Sequence, residues 1–236
     1  MGHYSPASTG DMVAEVLALR RPLRGLLLDL DDTLIDREGA LRSWLRRRAG
    51  LERRELDELL AIDAAESGSL AELAIVLLDR RPGLARDPIA LGQRIRDELP
   101  DAIEPDAKTL QTLARLAASG LRLGLISNGG PTQRRKLARA RLPVERFAAI
   151  VISSEVGVAK PDPAIFGLTL ERLGLAHDEA LMVGDSPEHD IAGAHAAELA
   201  SCWIAHGRSW PEQLEPAALE LDDLHQLPDA IAAWIE

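Results

Sequence analysis

Short apolar runs recur along the chain, and each is about as long as a β-strand. A continuous apolar run is typical of a strand that is buried on both faces of a parallel sheet. The first run covers residues 25–30 and reads GLLLDL. Four similar runs follow it, at residues 121–127, 147–153, 180–185 and 201–207. The pattern therefore predicts five buried strands.

Helical patterns separate most of these runs. Residues 106–119 carry leucines at three-and-four spacing and stop at Gly120, as an amphipathic helix does. Further helices are predicted over 131–141, 161–174 and 188–198. Strands that alternate with helices form a parallel sheet that is covered on both faces. The fold class predicted from this alternation is α/β, with a parallel-sheet core and helices on both faces.

Residues 37–104 interrupt the alternation. They carry four helical patterns and no segment typical of a strand. The four patterns span residues 38–49, 52–66, 69–80 and 88–99. Because this segment directly follows the first predicted strand, we interpret it as a small all-helical cap domain inserted into the core.

The predicted domain boundaries follow from this insertion. The core is discontinuous and consists of residues 21–36 and 105–236, with the helical cap at 37–104 between them. Residues 1–20 begin with small and polar residues, GHYSPASTG at positions 2–10. We expect residues 1–20 to form an N-terminal tail that is partly disordered.

Composition and charge restrict the classes of partner. The 236 residues include 27 Lys and Arg against 38 Asp and Glu, which gives a formal net charge of −11. An acidic chain lacks the positive surface field that binding to nucleic acids or anionic membranes requires. The single cysteine, Cys202, excludes an internal disulfide framework. With no apolar stretch near ~20 residues and no signal peptide pattern, we expect a cytoplasmic protein without nucleic-acid or membrane partners.

Polar clusters follow the predicted strands, at or just beyond their carboxyl ends. Ligands of open parallel sheets bind at this edge, so residues far apart in the sequence are expected to meet there. The clusters are Asp29-Leu30-Asp31-Asp32-Thr33, Ser127-Asn128-Gly129, Lys160-Pro161, and Gly184-Asp185-Ser186 with Asp190.

The residue types in these clusters suit phosphate chemistry with a metal ion. Several carboxylates packed together repel each other and need a cation, and oxygen ligands without a His or Cys cluster favour Mg²⁺. Ser127, the main-chain amides of Asn128 and Gly129, and Lys160 offer donors for a phosphate. One aspartate can then attack phosphorus, while a second carboxyl two residues later transfers protons.

Four motifs also carry a family resemblance. They are DLDDTL at 29–34, LISNG at 125–129, AKPDP at 159–163 and VGDSPEHDIAGA at 183–194. In this order they resemble the four motifs of the haloacid dehalogenase-like hydrolase superfamily, in the subgroup whose cap is inserted after the first motif. The resemblance implies a Rossmann-like core with the strand before Asp29 in a central position.

The resemblance also implies a role for each site residue. Asp29 is expected to be the nucleophile, and Asp31 the general acid and base. Ser127 and Lys160 are expected to bind the transferring phosphoryl group. The metal ligands implied by the family are the carboxylates of Asp29 and Asp185 and the main-chain carbonyl of Asp31, and Asp190 is expected to support Lys160 or a metal-bound water. Asn128 is interpreted either as a phosphate ligand or as part of an Asn-Gly turn.

These roles predict a Mg²⁺-dependent phosphatase that acts on a small phosphorylated metabolite through an aspartyl-phosphate. The resemblance implies that the carboxylates Asp31 and Asp185 favour phosphate chemistry over dehalogenation. A phosphomutase of the same family stays open, as does a different class of protein, a phospho-acceptor or binding protein without turnover. The substrate and the choice between a monomer and a homodimer are not determined by the sequence. Trp203 and Trp210 are interpreted as packing residues.

Overall fold

The structure is a computed structural model that describes residues 22–65 and 70–235. The predicted N-terminal tail, residues 1–20, lies outside the described residues. Within the described ranges, no helix combines the length and the apolar character that crossing a membrane requires.

A six-stranded parallel sheet forms the core. Its strand order is β3-β2-β1-β4-β5-β6, which is the order of the Rossmann fold. The strands are β1 (Gly25–Leu28), β2 (Arg122–Ser127), β3 (Phe147–Ile152), β4 (Ala180–Gly184), β5 (Ala200–Ile204) and β6 (Leu219–Leu221). The α/β class, the parallel sheet and the central first strand are confirmed.

The sixth strand was not predicted from the sequence. It has only three residues, Leu-Glu-Leu, and pairs in parallel with β5, with Cys202 opposite Leu219. So short a segment shows no periodicity of its own. It is a strand because the edge of β5 offers free backbone groups for it to pair with.

The α-helices of the described residues are named here in chain order. They are α1 (Arg37–Ala49), α2 (Arg53–Ala65), α3 (Ala71–Arg80), α4 (Pro88–Glu98), α5 (Ala107–Ala118), α6 (Thr132–Arg139), α7 (Ser153–Val156), α8 (Pro163–Leu173), α9 (Ala192–Ala196) and α10 (Leu227–Ala230). The helix predicted over 188–198 is divided, because residues 187–191 form a π-helical turn before α9. Such turns are frequent at functional sites.

Burial on both faces of the sheet explains the apolar runs. Leu27 of β1 lies in one cluster with Ile126, Met182 and Phe166 of α8. Its neighbours along β1 point to the opposite face, and all four residues of the strand are buried. A strand covered on both faces has no polar alternation, which is why β1 reads as an unbroken apolar segment.

The chain divides into two compact units. The first contains the sheet and comprises the residues up to Leu34, Lys108–Asn128 and the residues from Pro143 onward. The second unit is helical and comprises Ile35–Ala107 and Gly129–Leu142.

A buried ion pair lies inside the helical unit. The Arg37 guanidinium donates to both carboxylate oxygens of Asp63, at 2.6 and 3.1 Å. Trp44 is also buried there, and its indole Nε1 donates to Glu98 at 3.0 Å. These bonds join α1 to α2 and α4, so the apolar packing of the unit is supplemented by a few specific polar contacts.

The helix α6 belongs to the helical unit, whereas the sequence-based division placed residues 105–142 with the core. Arg135 donates to the main-chain carbonyl of Asp97 at 2.8 Å, and Arg139 donates to that of Asp101 at 2.9 Å. The periodicity of a segment predicts that it is a helix, but not which neighbour it contacts. The boundaries of the cap stay a prediction.

Two helical glycines allow a matched test of packing around the sheet. A methyl group at Gly193 on α9 would lie 2.7 Å from the Phe166 ring and 2.9 Å from Pro161 Cα, whereas nothing lies within 4 Å of such a group at Gly167 on α8. We predict that Gly193→Ala lowers the free energy of unfolding by about 1–3 kcal/mol. Gly167→Ala should raise it by up to about 1 kcal/mol, because Ala favours the helix. Urea denaturation measures both, and equal effects would contradict the packing.

Candidate active site

The functional side chains collect at the carboxyl edge of the sheet. Leu28 of β1 is in register with Leu125 of β2 and Val183 of β4. The next residue after β1 is Asp29, and the next after β4 is Asp185. Parallel register therefore brings Asp29 and Asp185 to the same edge from distant parts of the sequence, as the fold predicts.

A buried lysine joins two of the carboxylates. The Lys160 ammonium contacts Asp29 Oδ1 and donates to Asp190 Oδ1 at 2.6 Å and to the carbonyl of Ile126 at 3.2 Å. Lys160, Asp29 and Asp190 are all buried. A lysine has three N–H donors, and these three contacts use all of them. The ammonium is therefore fixed in position.

Asn128 holds the main chain of the same lysine. Its Nδ2 donates to the Lys160 carbonyl at 2.8 Å, and its Oδ1 accepts from the Lys160 N–H at 2.9 Å. The side-chain amide of Asn128 thus supports Lys160 from the end of β2. Ser127, which precedes Asn128 and is the last residue of β2, is also buried.

Three aspartates form a cluster that suits a metal ion. Asp29, Asp185 and Asp190 each offer one carboxylate oxygen, and these oxygens lie within 4.8 Å of one another. The side chain of Asp190 belongs to this cluster and that of Asp31 does not. The family resemblance implies that Asp31 contacts the metal through its main-chain carbonyl instead. A donor set made only of oxygens fits a hard divalent cation such as Mg²⁺.

Glycine is required where Asp190 approaches the sheet. A Cβ at Gly184 would lie 2.2 Å from Asp190 Oδ2, so any side chain there would displace the carboxylate. The N–H of Ser186 donates to the same oxygen at 3.0 Å. The π-helical turn and the glycine together place Asp190 against Lys160.

Burial and mutual repulsion shift the pKa values at this edge. Burial raises the pKa of Asp29 well above its ordinary value, and the Lys160 ammonium opposes that shift. Burial also raises the pKa of Asp185, to about 7, and the charges of Asp190 and Asp32 add to the shift. For Lys160, burial alone would lower the pKa, but the Asp190 and Asp29 carboxylates outweigh it and the net shift is upward. The carboxylates thus carry a repulsion that a bound cation would relieve.

Asp31 and Thr33 lie in the turn that follows Asp29. Asp31 is half-buried, so its carboxyl is more accessible to solvent than that of Asp29. Thr33 is buried. Of the buried side-chain polar atoms in the described residues, only its hydroxyl oxygen has no hydrogen-bond partner. The turn thus places the half-buried carboxyl groups of Asp31 and Asp32 close to the buried cluster, where their charges act on Asp29 and Asp185.

Residues in β5 and just after it contact the loops that carry Asp185 and Asp32, and the sequence pattern did not indicate these contacts. The Arg208 guanidinium pairs with Asp185 at 3.1 Å, and the Trp203 indole donates to the Asp185 carbonyl at 2.9 Å. His206 contacts the Asp32 carbonyl through Nε2 at 2.6 Å. Because a carbonyl only accepts, that nitrogen carries the proton. A positional signal existed for His206 and Arg208, which lie at or just beyond the carboxyl end of the predicted strand at residues 201–207. Trp203 lies inside that strand and gave no such signal.

Comparison with known proteins supports the interpretation of these motifs. The model of the haloacid dehalogenase-like hydrolase family matches residues 23–198. A glyceraldehyde 3-phosphate phosphatase of Methanopyrus kandleri is 32% identical over 214 residues, which is 82% of this chain and 88% of the relative. A phosphoserine phosphatase of Thermus thermophilus is 40% identical over 125 residues, which is 52% of this chain, and the matched part spans only 49% of that relative.

A solved structure shows the same fold. The HAD-hydrolase YfnB of Bacillus subtilis, described as bound to magnesium, superimposes with a TM-score of 0.75 at 23% identity. The superposition covers 89% of this chain and 99% of the other. The family model matches well over half of the chain, and a relative that is 32% identical is matched over 88% of its length. The chain therefore belongs to the haloacid dehalogenase-like hydrolase family.

Proposed function

We propose that the protein is a Mg²⁺-dependent phosphatase that hydrolyses a small phosphorylated metabolite through an aspartyl-phosphate on Asp29. The observation that carries the proposal is the convergence of Asp29, Lys160, Asp185 and Asp190 at one edge of the sheet. A nucleophile, a fixed positive charge and a cluster of oxygen ligands are the parts that phosphoryl transfer requires.

The relatives support the reaction class. The chain matches phosphatases that act on glyceraldehyde 3-phosphate and on phosphoserine, and the former is matched along most of its length. The chain is thus a phosphoric monoester hydrolase. These two substrates differ in their organic part and share a phosphate ester, so we infer a small phosphorylated metabolite as the substrate class.

Phosphoryl transfer to Asp29 is the first proposed step. A carboxylate oxygen of Asp29 attacks phosphorus in line with the ester oxygen, and the bond between phosphorus and that oxygen breaks. Asp31 gives its proton to the departing oxygen, so the organic product leaves as an alcohol. Ser127 donates to a phosphoryl oxygen, and the ammonium of Lys160, held beside Asp29, balances the negative charge of the phosphoryl group.

Hydrolysis of the aspartyl-phosphate completes the cycle. Asp31, now a carboxylate, takes a proton from water as the water oxygen attacks phosphorus. The bond between phosphorus and Asp29 breaks, which releases inorganic phosphate and restores both carboxyl groups to their starting states. One accessible carboxyl two residues from the nucleophile is sufficient for both proton transfers.

The aspartate cluster would hold the metal ion. Asp29 and Asp185 are proposed as side-chain ligands, with Asp31 contributing its main-chain carbonyl and Asp190 supporting the site. A bound Mg²⁺ supplies positive charge close to the phosphoryl oxygens. Burial and mutual repulsion raise the pKa values of Asp29 and Asp185, so a bound cation would favour the charged forms of both carboxyl groups.

The nucleophile and the metal are tested together with p-nitrophenyl phosphate. We predict that hydrolysis by the wild-type protein in Mg²⁺ is lost in EDTA and restored by added Mg²⁺. Asp29→Asn should lower kcat by on the order of 10³-fold or more, because an amide oxygen is a far weaker nucleophile than a carboxylate. Full activity of Asp29→Asn, or full activity in EDTA, would contradict the assignment.

The proton-transfer role of Asp31 is tested through the leaving group. For Asp31→Asn, we predict that kcat/KM falls on the order of 10²-fold or more with an alkyl phosphate, and by much less with p-nitrophenyl phosphate. The difference arises because p-nitrophenolate leaves without a proton, whereas an alkoxide requires one. Steady-state kinetics with glycerol phosphate and p-nitrophenyl phosphate gives both values.

Asp32→Asn is the matched control for Asp31→Asn. Asp32 adopts a positive φ of 56°, a conformation that Asn tolerates well, so this variant should keep the turn. Its kcat/KM should change by the same small factor with both substrates. Equal losses with the two substrates in Asp31→Asn would exclude Asp31 as the general acid.

A further inference from the structure

Two side chains, Trp203 in β5 and Arg208 in the loop after it, converge on one residue of the acidic cluster. The Trp203 indole Nε1 donates to the main-chain carbonyl of Asp185 at 2.9 Å, and Arg208 Nη2 donates to the same carbonyl at 2.7 Å. Arg208 Nη2 also lies 3.1 Å from Asp185 Oδ2. Asp185 is thus held at its backbone and at one carboxylate oxygen.

The Arg208 side chain is nearly half exposed, yet several contacts fix its guanidinium. Its Nε donates to the carbonyl of Ala205 at 2.9 Å, and its Nη2 also lies 3.1 Å from the carbonyl of Ile204. The guanidinium carbon lies 5.7 Å from the centroid of the Trp203 ring, within the range of a cation–π contact. These contacts pre-order the guanidinium, so little conformational entropy is lost when it binds Asp185.

Trp203 is anchored from its other side. It is buried, and its ring meets the ring of Trp210 edge to face, with centroids 5.0 Å apart. Trp203 also belongs to a small apolar cluster with Ile191 and Ala205. The indole N–H that reaches Asp185 is therefore fixed by packing and cannot turn away to another acceptor.

We propose that Trp203 and Arg208 form a clamp that positions Asp185 for the metal ion, and this inference rests on the proposed function. Arg208 engages Oδ2 of Asp185, and the other carboxylate oxygen keeps its lone pairs for a cation. Residues that orient metal ligands in this way commonly change metal affinity by about 10–100-fold when they are removed. Both members of the clamp are positioning residues, because they act through Asp185.

The direction of the change in Mg²⁺ affinity distinguishes a positioning role of Arg208 from a purely electrostatic one. Arg208 is a cation next to the proposed Mg²⁺ site, so its charge alone repels Mg²⁺. Removing it would strengthen Mg²⁺ binding if charge were its only contribution. If Arg208 positions Asp185, its removal weakens Mg²⁺ binding despite the lost repulsion.

The test is calorimetric titration of metal-free protein with MgCl₂. We expect Arg208→Ala to raise the Kd for Mg²⁺ roughly tenfold or more. Trp203→Phe should weaken binding in the same direction, because it removes the indole N–H and keeps an aromatic ring. Arg208→Lys should lie between Arg208→Ala and the wild type, because lysine restores one donor without the planar fork.

Arg146→Ala is the matched control. Arg146 is an exposed arginine just before β3, which lies at the opposite edge of the sheet from β6, so its loss should leave the Kd unchanged. The melting temperature in EDTA checks that each variant folds. If Arg208→Ala does not fold, Arg208→Lys and Trp203→Phe carry the test.

The possible outcomes separate the clamp from the proposed function. Weaker Mg²⁺ binding by Arg208→Ala and Trp203→Phe, with Arg146→Ala unchanged, supports the clamp. Equal or tighter binding by folded Arg208→Ala overturns it, while the metal site stands. If the wild-type protein does not bind Mg²⁺, or Asp185→Asn binds it equally well, the proposed metal site fails and the clamp fails with it.

Discussion

The contact of the buried Lys160 ammonium with Asp29 and Asp190 is the interaction on which the site depends. A charge this far from water is tolerated only when it is paired and fully hydrogen-bonded. Lys160 meets that condition with two carboxylates and one carbonyl. Removing the lysine would leave two buried carboxylates without a counter-charge, so the three side chains constrain each other.

Other local features follow from this constraint. Gly184 lacks a side chain because Asp190 occupies that space, and the π-helical turn before α9 brings Asp190 to the lysine. Asn128 fixes the backbone of Lys160 from the end of β2. Residues that look like separate sequence motifs are therefore parts of one arrangement, which holds three carboxylates closer together than they would lie without a counter-charge.

The sequence predicted the features that depend on local patterns. Unbroken apolar runs identified the buried strands, and the polar residues after them identified the edge where Asp29, Lys160 and Asp185 meet. It could not predict β6, which is a strand only because β5 offers an edge, or the packing of α6 with the helical unit. The clamp was also missed, because Trp203 and Arg208 acquire their roles only once β5 lies beside β4. Contacts of this kind arise from tertiary packing, to which periodicity is insensitive.

The central claim is that Asp29 carries the phosphoryl group during turnover. The most direct measurement is to quench the protein during hydrolysis, reduce it with borohydride and identify the altered peptide by mass spectrometry. Borohydride converts an aspartyl-phosphate to homoserine, so the account predicts homoserine at position 29 and only in the presence of substrate. Modification at another residue, or rapid turnover with an unaltered Asp29 peptide, would contradict it.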